Sequence, residues 1–203
     1  MMRKNIATVM AGWSLCILLL LFNQCHAPEN QTAMTLKTIH ERTSIRDYAD
    51  REVEEEKLEQ LLKAAMAAPS SRNVQPWQFY VIHNGQTRRN LADKLPSAGM
   101  LAKAPVAVVV CGDIEKGQPN PEQQMNWIMD CSAATQNLLL AAQSMGLGAV
   151  WTGVYPYRQR IDIVRSALEI PDNLIPLNVI PIGYPAEHPR PKDKWDPDKI
   201  QKH

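Results

Sequence analysis

The stretch around which the chain is organised runs from residue 69 to residue 77 and reads Pro69-Ser70-Ser71-Arg72-Asn73-Val74-Gln75-Pro76-Trp77. It follows a helical pattern and leads into a strand pattern. Each proline fixes its own φ angle and disfavours the helical region for the residue before it. The spacing therefore predicts a rigid, extended connector that presents polar groups. A plain helix-to-strand loop is also commonly rich in Ser, Asn and Pro, so this stretch alone leaves both readings open.

A second polar stretch lies upstream and reads Glu41-Arg42-Thr43-Ser44-Ile45-Arg46-Asp47-Tyr48. Alternate residues of an extended chain point the same way, so the side chains of Arg42, Ser44 and Arg46 can converge. Two guanidinium groups and a hydroxyl suit a phosphate dianion, because arginine offers paired donors and keeps its charge. The alternative is two surface arginines paired with Glu41 and Asp47. The spacing does not decide between a phosphate anchor and surface ion pairs.

Taken together, these motifs resemble the nitroreductase family of flavin mononucleotide (FMN) enzymes. The resemblance rests on Arg-x-Ser-x-Arg at residues 42–46, Pro-Ser-Ser-x-Asn-x-Gln-Pro-Trp at residues 69–77 and Ile-Gly-Tyr-Pro at residues 182–185, in the family's order. It implies an α+β fold, with a mixed β-sheet flanked by helices. It also implies an intertwined homodimer with two composite FMN sites at its interface, where the connector reaches the flavin of the opposite subunit.

The resemblance further implies which residues hold the cofactor. The phosphate anchor would come from residues 42–46, completed by Lys192 and Lys194, although arginine is common at the second of these two positions. A backbone N–H at Thr152 or Gly153 would lie beside flavin N5, and no side chain has a catalytic role of its own. The full set of implied FMN-binding residues is Arg42, Thr43, Ser44, Arg46, Pro69, Ser70, Ser71, Asn73, Gln75, Trp151, Thr152, Gly153, Lys192 and Lys194.

One family feature has no clear counterpart in this sequence. Larger members place a lysine beside flavin N1 and O2, from the segment before the strand that begins near Val106. Gly99 stands at that place here, and neither Lys94 nor Lys103 matches it clearly. The sequence therefore leaves open which group contacts this edge of the ring.

The function implied by the resemblance is ping-pong hydride transfer. NAD(P)H delivers hydride to flavin N5 and leaves, and a nitroaromatic, quinone or similar small-molecule acceptor then takes its place. A reductive dehalogenase or flavin-fragmenting relative is an alternative, but the lid residues it needs cannot be identified in residues 112–123. A flavin-binding protein without turnover, or an exported domain without a cofactor, are further alternatives. The sequence spells out no nucleophile–base pair, as expected where a cofactor carries the chemistry.

Composition excludes some classes of partner and site. The 203 residues are 45% hydrophobic and 21% charged, which is enough for one sizeable core. A formal net charge of +1 gives no electrostatic case for nucleic acid or an anionic membrane surface. Zinc spacing is absent from the sequence, so no metal site is expected. Cys111 and Cys131 are predicted to be small core residues.

The first 26 residues have the pattern of a targeting segment. Arg3 and Lys4 precede a mainly apolar run over residues 6–22, and Cys25 follows. This predicts a signal peptide or a membrane or lipoprotein anchor, although Gln24 is not the small residue that usually precedes a lipidated cysteine. The expected location is exported or membrane-anchored, with an anchor facing the cytoplasm as the alternative. Membrane contact is expected only through this segment.

The remaining patterns predict the order of elements. Residues 27–34 read as a polar linker and residues 35–203 as a single FMN-binding domain, with Thr35 capping a short helix. Asn84 and Gly85 predict a turn, Gly146 a left-handed helix end, and Pro181 an edge strand or a bulge. Helices are predicted over residues 53–67, 87–95, 125–145 and 158–168, and strands over residues 77–82, 104–111, 149–153 and 177–183.

Overall fold

The computed structural model of the protein describes residues 27–116 and 124–203, with side chains from residue 31 onward. The predicted signal or anchor, residues 1–26, lies outside the described residues, as does most of the predicted loop that ends at residue 123. Among the described helices, none combines the length and the apolar character needed to cross a bilayer. The chain divides into two units between His40 and Glu41, whereas the sequence analysis places the start of the domain at residue 35.

The first described element is a helix, α1 (Ala27–Glu41), where the sequence analysis predicts a linker. The segment contains no glycine, and Pro28 falls in the first turn, where its missing N–H has no helical partner to lose. Its Ala, Glu, Gln, Met and Leu residues favour helix. Thr35 lies inside this helix and not at its start, and its hydroxyl donates to the Gln31 carbonyl at 3.0 Å. Residues 27–34 are therefore helical, and their role as a linker stays a prediction.

The second unit is built on a sheet of five strands, in which each pairing of the described residues is antiparallel. The α+β class is confirmed, while a parallel pair, which a mixed sheet requires, is not among these pairings. Two central strands carry most of the ladder. The path is β1 (Trp77–Ile82), β2 (Val106–Asp113), β5 (Leu174–Gly183) and β3 (Gly148–Ala149), and β4 (Thr152–Gly153) also pairs with β5.

The two prolines of β5 lie inside the sheet, so the predicted edge position is wrong. Pro181 pairs with Ala107 in continuous register. The register shifts at Pro176, leaving Leu177 as an extra residue on β5. The carbonyl of Leu177 accepts from the backbone N–H groups of Val154 and Tyr155, at 3.1 and 3.0 Å. The bulge therefore lies at Pro176, and the edge position or bulge predicted at Pro181 is wrong.

Four helices cover the two faces of the sheet. They are α2 (Glu55–Met66) and α4 (Asn126–Ser144) on one face, and α3 (Gly85–Lys94) and α5 (Arg158–Leu168) on the other. Alternate residues of β2 serve the two faces, with Val108 in the first core and Val109 in the second. The continuous apolar sequence of β2 is buried on both sides for this reason, as predicted.

Single residues determine where two of the helices begin or end. Gly146, at φ 71°, follows α4 and confirms the predicted left-handed end. The Oδ1 atom of Asn84 accepts from the Thr87 N–H at 2.9 Å, so Asn84 caps α3. The predicted turn at Asn84 and Gly85 is therefore a helix start. The bounds of α5 agree with the prediction over residues 158–168.

Candidate functional site

The connector, residues 69–77, folds as a tight turn and not as extended chain. A 3₁₀ turn spans Ser71–Asn73, and the φ angles of Arg72, Asn73 and Gln75 are positive, at 52°, 57° and 50°. The Gln75 N–H donates to the Ser70 Oγ atom at 3.0 Å and closes the turn. The prediction of extended chain is wrong because Arg72 and Asn73 do not precede a proline and escape its restriction. Gln75 does precede Pro76, yet it takes a positive φ with its N–H bound by Ser70.

Two polar residues of α4 hold the connector in place. The Oδ1 atom of Asp130, which is only 7% exposed, accepts from the Ser71 N–H at 3.0 Å. The amide of Asn126 donates to the Ser71 hydroxyl at 3.0 Å, which leaves the hydroxyl proton available to a ligand. The amides of Asn73 and Gln75 are exposed and joined at 2.8 Å. The connector is thus fixed by α4, and it exposes the amides of Asn73 and Gln75.

The anchor, residues 42–46, lies against β3 and is fixed through its backbone. The Ile45 N–H donates to the Ala149 carbonyl at 3.2 Å, and the Ile45 carbonyl accepts from the Tyr48 hydroxyl at 2.8 Å. Gly148 permits this approach, because a Cβ atom there would lie 2.6 Å from the Ile45 side chain. Burial raises the pKa of the Tyr48 phenol, which keeps the hydroxyl a donor.

The side chains of the anchor differ in exposure. Those of Arg42, Thr43 and Ser44 are half-buried, whereas Arg46 is exposed beside the buried Ile45. Exposure therefore does not alternate along residues 42–44, and it separates Arg46 from Arg42 and Ser44. The neighbouring Asp47 carboxylate pairs with the Lys103 ammonium at 2.8 Å, and this hydrogen bond lowers the pKa of Asp47.

Glu187 is a site residue that the sequence analysis missed. Its Oε1 atom accepts from the N–H groups of Arg46 and Asp47, at 2.5 and 3.2 Å. The Ala186 N–H donates to the Asp47 carbonyl at 3.0 Å, so the two segments run side by side. The bonds of Glu187 join residues 141 and 140 positions apart, which local spacing cannot reveal. The one available signal is its place two residues after the end of the Ile-Gly-Tyr-Pro motif.

The segment expected beside flavin N5 is β4, where Thr152 pairs with Val179 and Gly153 pairs with Asn178. Trp151, before it, is 38% exposed. The Thr152 hydroxyl is buried and finds no hydrogen-bond partner among the described residues. Among the described residues, a Cβ atom placed on Gly153 would meet only the Trp151 Nε1 atom, at 3.9 Å, so they leave the space above Gly153 open.

Gly153 is supported by two residues that the sequence analysis also missed. The guanidinium of Arg160 in α5 donates to the Gly153 carbonyl at 3.0 Å and lies 4.0 Å from the centre of the Tyr157 ring. The fully buried Asn178, opposite Gly153, donates to the Thr135 hydroxyl of α4 at 2.9 Å. The peptide at Gly153 is therefore held from α5 and, through β5, from α4.

The anchor and the connector of one chain lie at opposite ends of the sheet. The Pro76 carbonyl accepts from the Asp113 N–H at 2.8 Å, at the last residue of β2. The anchor contacts Ala149, whose partner Ile182 stands opposite the first residue of β2, Val106. The length of β2 between them corresponds to about 20–24 Å at roughly 3–3.4 Å per residue.

Helix α4 gives a second, independent measure of this separation. Asp130, near its start, binds the connector. Gln143, near its end, lines a cavity of about 370 Å³ together with Thr43 of the anchor. The helical rise between Asp130 and Gln143 again amounts to about 20 Å. The two motifs that sequence reasoning assigned to one flavin are therefore well separated within a chain.

The C-terminal lysines and the two buried cysteines complete the predicted residues. Lys192 and Lys194 are exposed in an extended tail, and their contact with phosphate stays a prediction. Cys111 and Cys131 are buried, as predicted. Burial raises the pKa of each thiol to about 12, which excludes a thiolate nucleophile at neutral pH.

Comparison with known proteins bears on both motifs. The model of the Nitroreductase family matches residues 39–99 and 92–184. A protein of Methanothermobacter thermautotrophicus, provisionally named NADH dehydrogenase/NAD(P)H nitroreductase, is 47% identical over 167 residues, which cover 81% of this chain and 84% of that protein. A crystal structure from Parabacteroides distasonis with the same provisional name is 51% identical, with a TM-score of 0.78 over 83% of this chain and 96% of that chain. The FMN-dependent nitroreductase of Clostridium difficile R20291 is 32% identical, with a TM-score of 0.75 over 82% of this chain and 98% of that chain. Because the family model spans the anchor, the connector and β4, and relatives about half identical share the fold, the chain belongs to the nitroreductase family.

Proposed function

We propose that the protein is an FMN-dependent oxidoreductase that passes hydride from NAD(P)H to a small-molecule acceptor. FMN stands in the name of the Clostridium difficile relative and NAD(P)H in that of the Methanothermobacter relative. The observation that carries the proposal is the combination of a backbone-fixed anchor at residues 42–46 with an open space above Gly153. Nitroaromatics and quinones are the acceptor classes that we propose.

The anchor suits the phosphate of FMN. Three of its backbone groups are already bonded within the chain, namely the Ile45 N–H to Ala149, the Ile45 carbonyl to Tyr48 and the Arg46 N–H to Glu187. A phosphate would therefore be held by side chains, namely the Ser44 hydroxyl and the guanidinium groups of the two arginines. Arginine keeps its charge and offers paired donors, which favours a dianion.

The surroundings of Gly153 suit a flat ring. FMN, when bound, supplies the atom that accepts hydride and passes it on. The chain would orient the ring through the Gly153 backbone, which Arg160 and the β5 ladder fix in place. The amides of Asn73 and Gln75 would hold the polar edge of the ring. The residues of the chain bind and orient, and none is assigned a proton transfer.

We also propose that two chains build each site. The separation of about 20 Å between anchor and connector, from strand geometry, places them out of reach of a common phosphate and ring edge. A two-fold dimer brings the connector of one chain to the anchor of the other. Exposed methionines beside the connector, Met66 at 52% and Met129 at 63%, offer the adaptable apolar surface that such an interface uses.

The experiment that tests the function begins with the purified protein. Denaturation is expected to release FMN, and anaerobic addition of NADH or NADPH to the holoenzyme is expected to bleach the flavin spectrum. A quinone or nitroaromatic added next is expected to restore it. Release of flavin adenine dinucleotide, or a colourless protein that takes up no flavin, would contradict the proposal. Reduced flavin that persists with each acceptor would instead indicate a binding protein without turnover.

For the N-terminal segment, we propose export or membrane anchoring, on the strength of the basic start and apolar run over residues 1–26. Fractionation of cells that express the full chain is expected to place it outside the cytoplasm or in the membrane. Labelled fatty acid incorporated by the wild type but not by Cys25→Ser would establish lipidation. Recovery of uncleaved protein in the cytosolic fraction would contradict export and anchoring together. An exported enzyme would need an electron donor available in that compartment.

A further inference from the structure

A carboxylate stands at the proposed phosphate anchor, where its charge opposes binding of an anion. The Oε1 atom of Glu187 lies 2.5 Å from the Arg46 nitrogen and 3.2 Å from the Asp47 nitrogen. Like charges repel, so the Glu187 carboxylate would oppose a phosphate bound at the anchor through its charge. Any favourable contribution of Glu187 to the anchor must therefore come from the backbone N–H groups that it binds.

Glu187 ends a short ladder between the anchor and the segment after β5. The Ala49 N–H donates to the Tyr184 carbonyl at 2.8 Å, and Tyr48 forms a bridge with Pro185. The Ala186 N–H then donates to the Asp47 carbonyl at 3.0 Å. At Arg46 the partner is no longer a backbone carbonyl. There the side-chain carboxylate of Glu187 accepts hydrogen bonds from the backbone N–H groups of Arg46 and Asp47. These bonds fix the backbone from which the Arg46 side chain extends.

The same residue fixes the start of the C-terminal tail. Glu187 is half-buried, whereas residues 188–195 are exposed. Lys192 and Lys194, which the family resemblance assigns to the phosphate, follow within this exposed stretch. The two bonds of Glu187 therefore set the position of Arg46 and the point from which the tail departs.

We propose that Glu187 is a positioning residue for flavin binding. Its carboxylate fixes the backbone of Arg46, so that the guanidinium points to the FMN phosphate, and it acts through Arg46 without touching the cofactor. This inference rests on the proposed function, because it presupposes FMN at the anchor. By fixing Arg46, Glu187 raises FMN affinity more than its negative charge lowers it.

The sign of the change in FMN affinity tests this role. Glu187→Gln keeps an oxygen that can accept both N–H groups and removes the charge, so FMN is expected to bind as tightly as to wild type or more tightly. Glu187→Ala removes the acceptor and is expected to weaken binding on the order of tenfold. Charge repulsion alone would make both variants bind more tightly. Dissociation constants would be measured by quenching of FMN fluorescence on titration with apoprotein.

Asp193→Asn is the matched control, because it removes a tail carboxylate whose contact is with the nearby Trp195 N–H. Its FMN affinity is expected to equal or exceed that of wild type.

If Glu187→Ala fails to fold by circular dichroism, Glu187→Asp replaces it, with a side chain too short to reach both N–H groups and the same expected loss. Turnover at saturating FMN is expected to be unchanged in each variant. Unchanged or tighter binding by the alanine or aspartate variant, or weaker binding by the glutamine variant, overturns the inference. Absence of FMN binding by wild type would instead overturn the proposed function.

Discussion

The guanidinium of Arg160 donates to the carbonyl oxygen of Gly153 at 3.0 Å and lies 4.0 Å from the centre of the Tyr157 ring. A helix residue is thereby bonded to the carbonyl of Gly153, the residue whose backbone is proposed to lie beside flavin N5. A hydrogen bond from a charged donor is stronger than one between neutral groups, and the stacked ring restricts the guanidinium. The bond gives β4, which is two residues long, a fixed orientation.

Replacement of Arg160 is expected to affect hydride transfer more than cofactor affinity. Arg160→Met removes the donor and keeps much of the apolar stem, so the Gly153 peptide loses a support worth about 1.5–3 kcal/mol. Stopped-flow reduction by NADH or NADPH is expected to slow on the order of tenfold, while the FMN dissociation constant changes less than about threefold. The control is Arg158→Met, whose guanidinium makes an exposed pair with Asp162 at 3.2 Å. Equal effects of the two variants would contradict a special role for Arg160.

Removal of the Arg46 guanidinium is expected to separate cofactor binding from chemistry. Arg46→Ala loses a charge-assisted bond, so FMN affinity is expected to fall about ten- to a hundredfold. Excess free FMN is expected to restore most turnover, because the groups at Gly153 are untouched. Arg51→Ala serves as the control, since Arg51 stacks on Tyr184 at 3.7 Å and pairs with Glu54. Turnover that stays low with FMN fully bound would assign Arg46 another role.

Mixing two defective variants tests whether the site belongs to two chains. One variant carries Arg42→Ala with Arg46→Ala, and the other carries Ser70→Ala with Asn73→Ala. Each homodimer is expected to bind FMN poorly. In a mixed dimer all lesions fall in one site, and the other site is intact. Random pairing makes half of the dimers mixed, so refolding the two variants together is expected to restore up to about half a site per dimer. If mixed dimers form and bind no FMN, anchor and connector act within one chain.

Two glycines offer a matched test of packing near the connector. A methyl group on Gly112, which pairs with Trp77, would overlap the indole of Trp127. Gly112→Ala is therefore expected to lower the free energy of unfolding by about 1–3 kcal/mol, measured by urea titration. Nothing lies within 4 Å of a methyl group on Gly99, so Gly99→Ala is expected to stay within about 1 kcal/mol of wild type. Similar losses in both variants would show that the Trp127 contact is not the cause.

Acid sensitivity is expected to depend on the Tyr184 hydroxyl. It donates to Glu54 at 2.7 Å, and this bond, with help from Arg51, lowers the pKa of Glu54 from 4.5 to about 2. A carboxyl group whose pKa is lower in the folded state stabilises the fold above pH 4.5 and loses that contribution as the pH falls towards 2. The effect is small because Glu54 is exposed to solvent. Tyr184→Phe is expected to flatten the fall in unfolding free energy over this range, and an unaltered slope would contradict the assignment.

Sequence patterns predicted the elements that local physics controls. The bounds of α5, the burial of β2 and the left-handed Gly146 follow from periodicity, apolar content and the freedom of glycine. The patterns failed where one composition suits two structures. The polar residues 27–34 suit a solvated helix as well as a linker, and the connector's prolines left its central residues unrestricted.

The supporting residues of the site lay beyond the reach of local spacing. The anchor motif was visible because its charged residues stand close together, but Glu187 joins it across 141 positions. Arg160 is one of three arginines in a polar helix, and only the folded chain shows which carbonyl it binds. The motifs thus predicted the residues proposed to bind FMN. The residues that position them, Glu187 and Arg160, could be identified only from the tertiary structure.

The ladder between residues 46–49 and 184–187 has a consequence for biosynthesis. Its first strand opens the globular unit, and its second follows the last strand of the sheet. A ribosome makes the second segment only after the five described strands of the sheet. The anchor therefore takes its final shape only after β5 has been made, so that a chain cut short after β5 would keep the sheet but lack the contacts that shape its anchor.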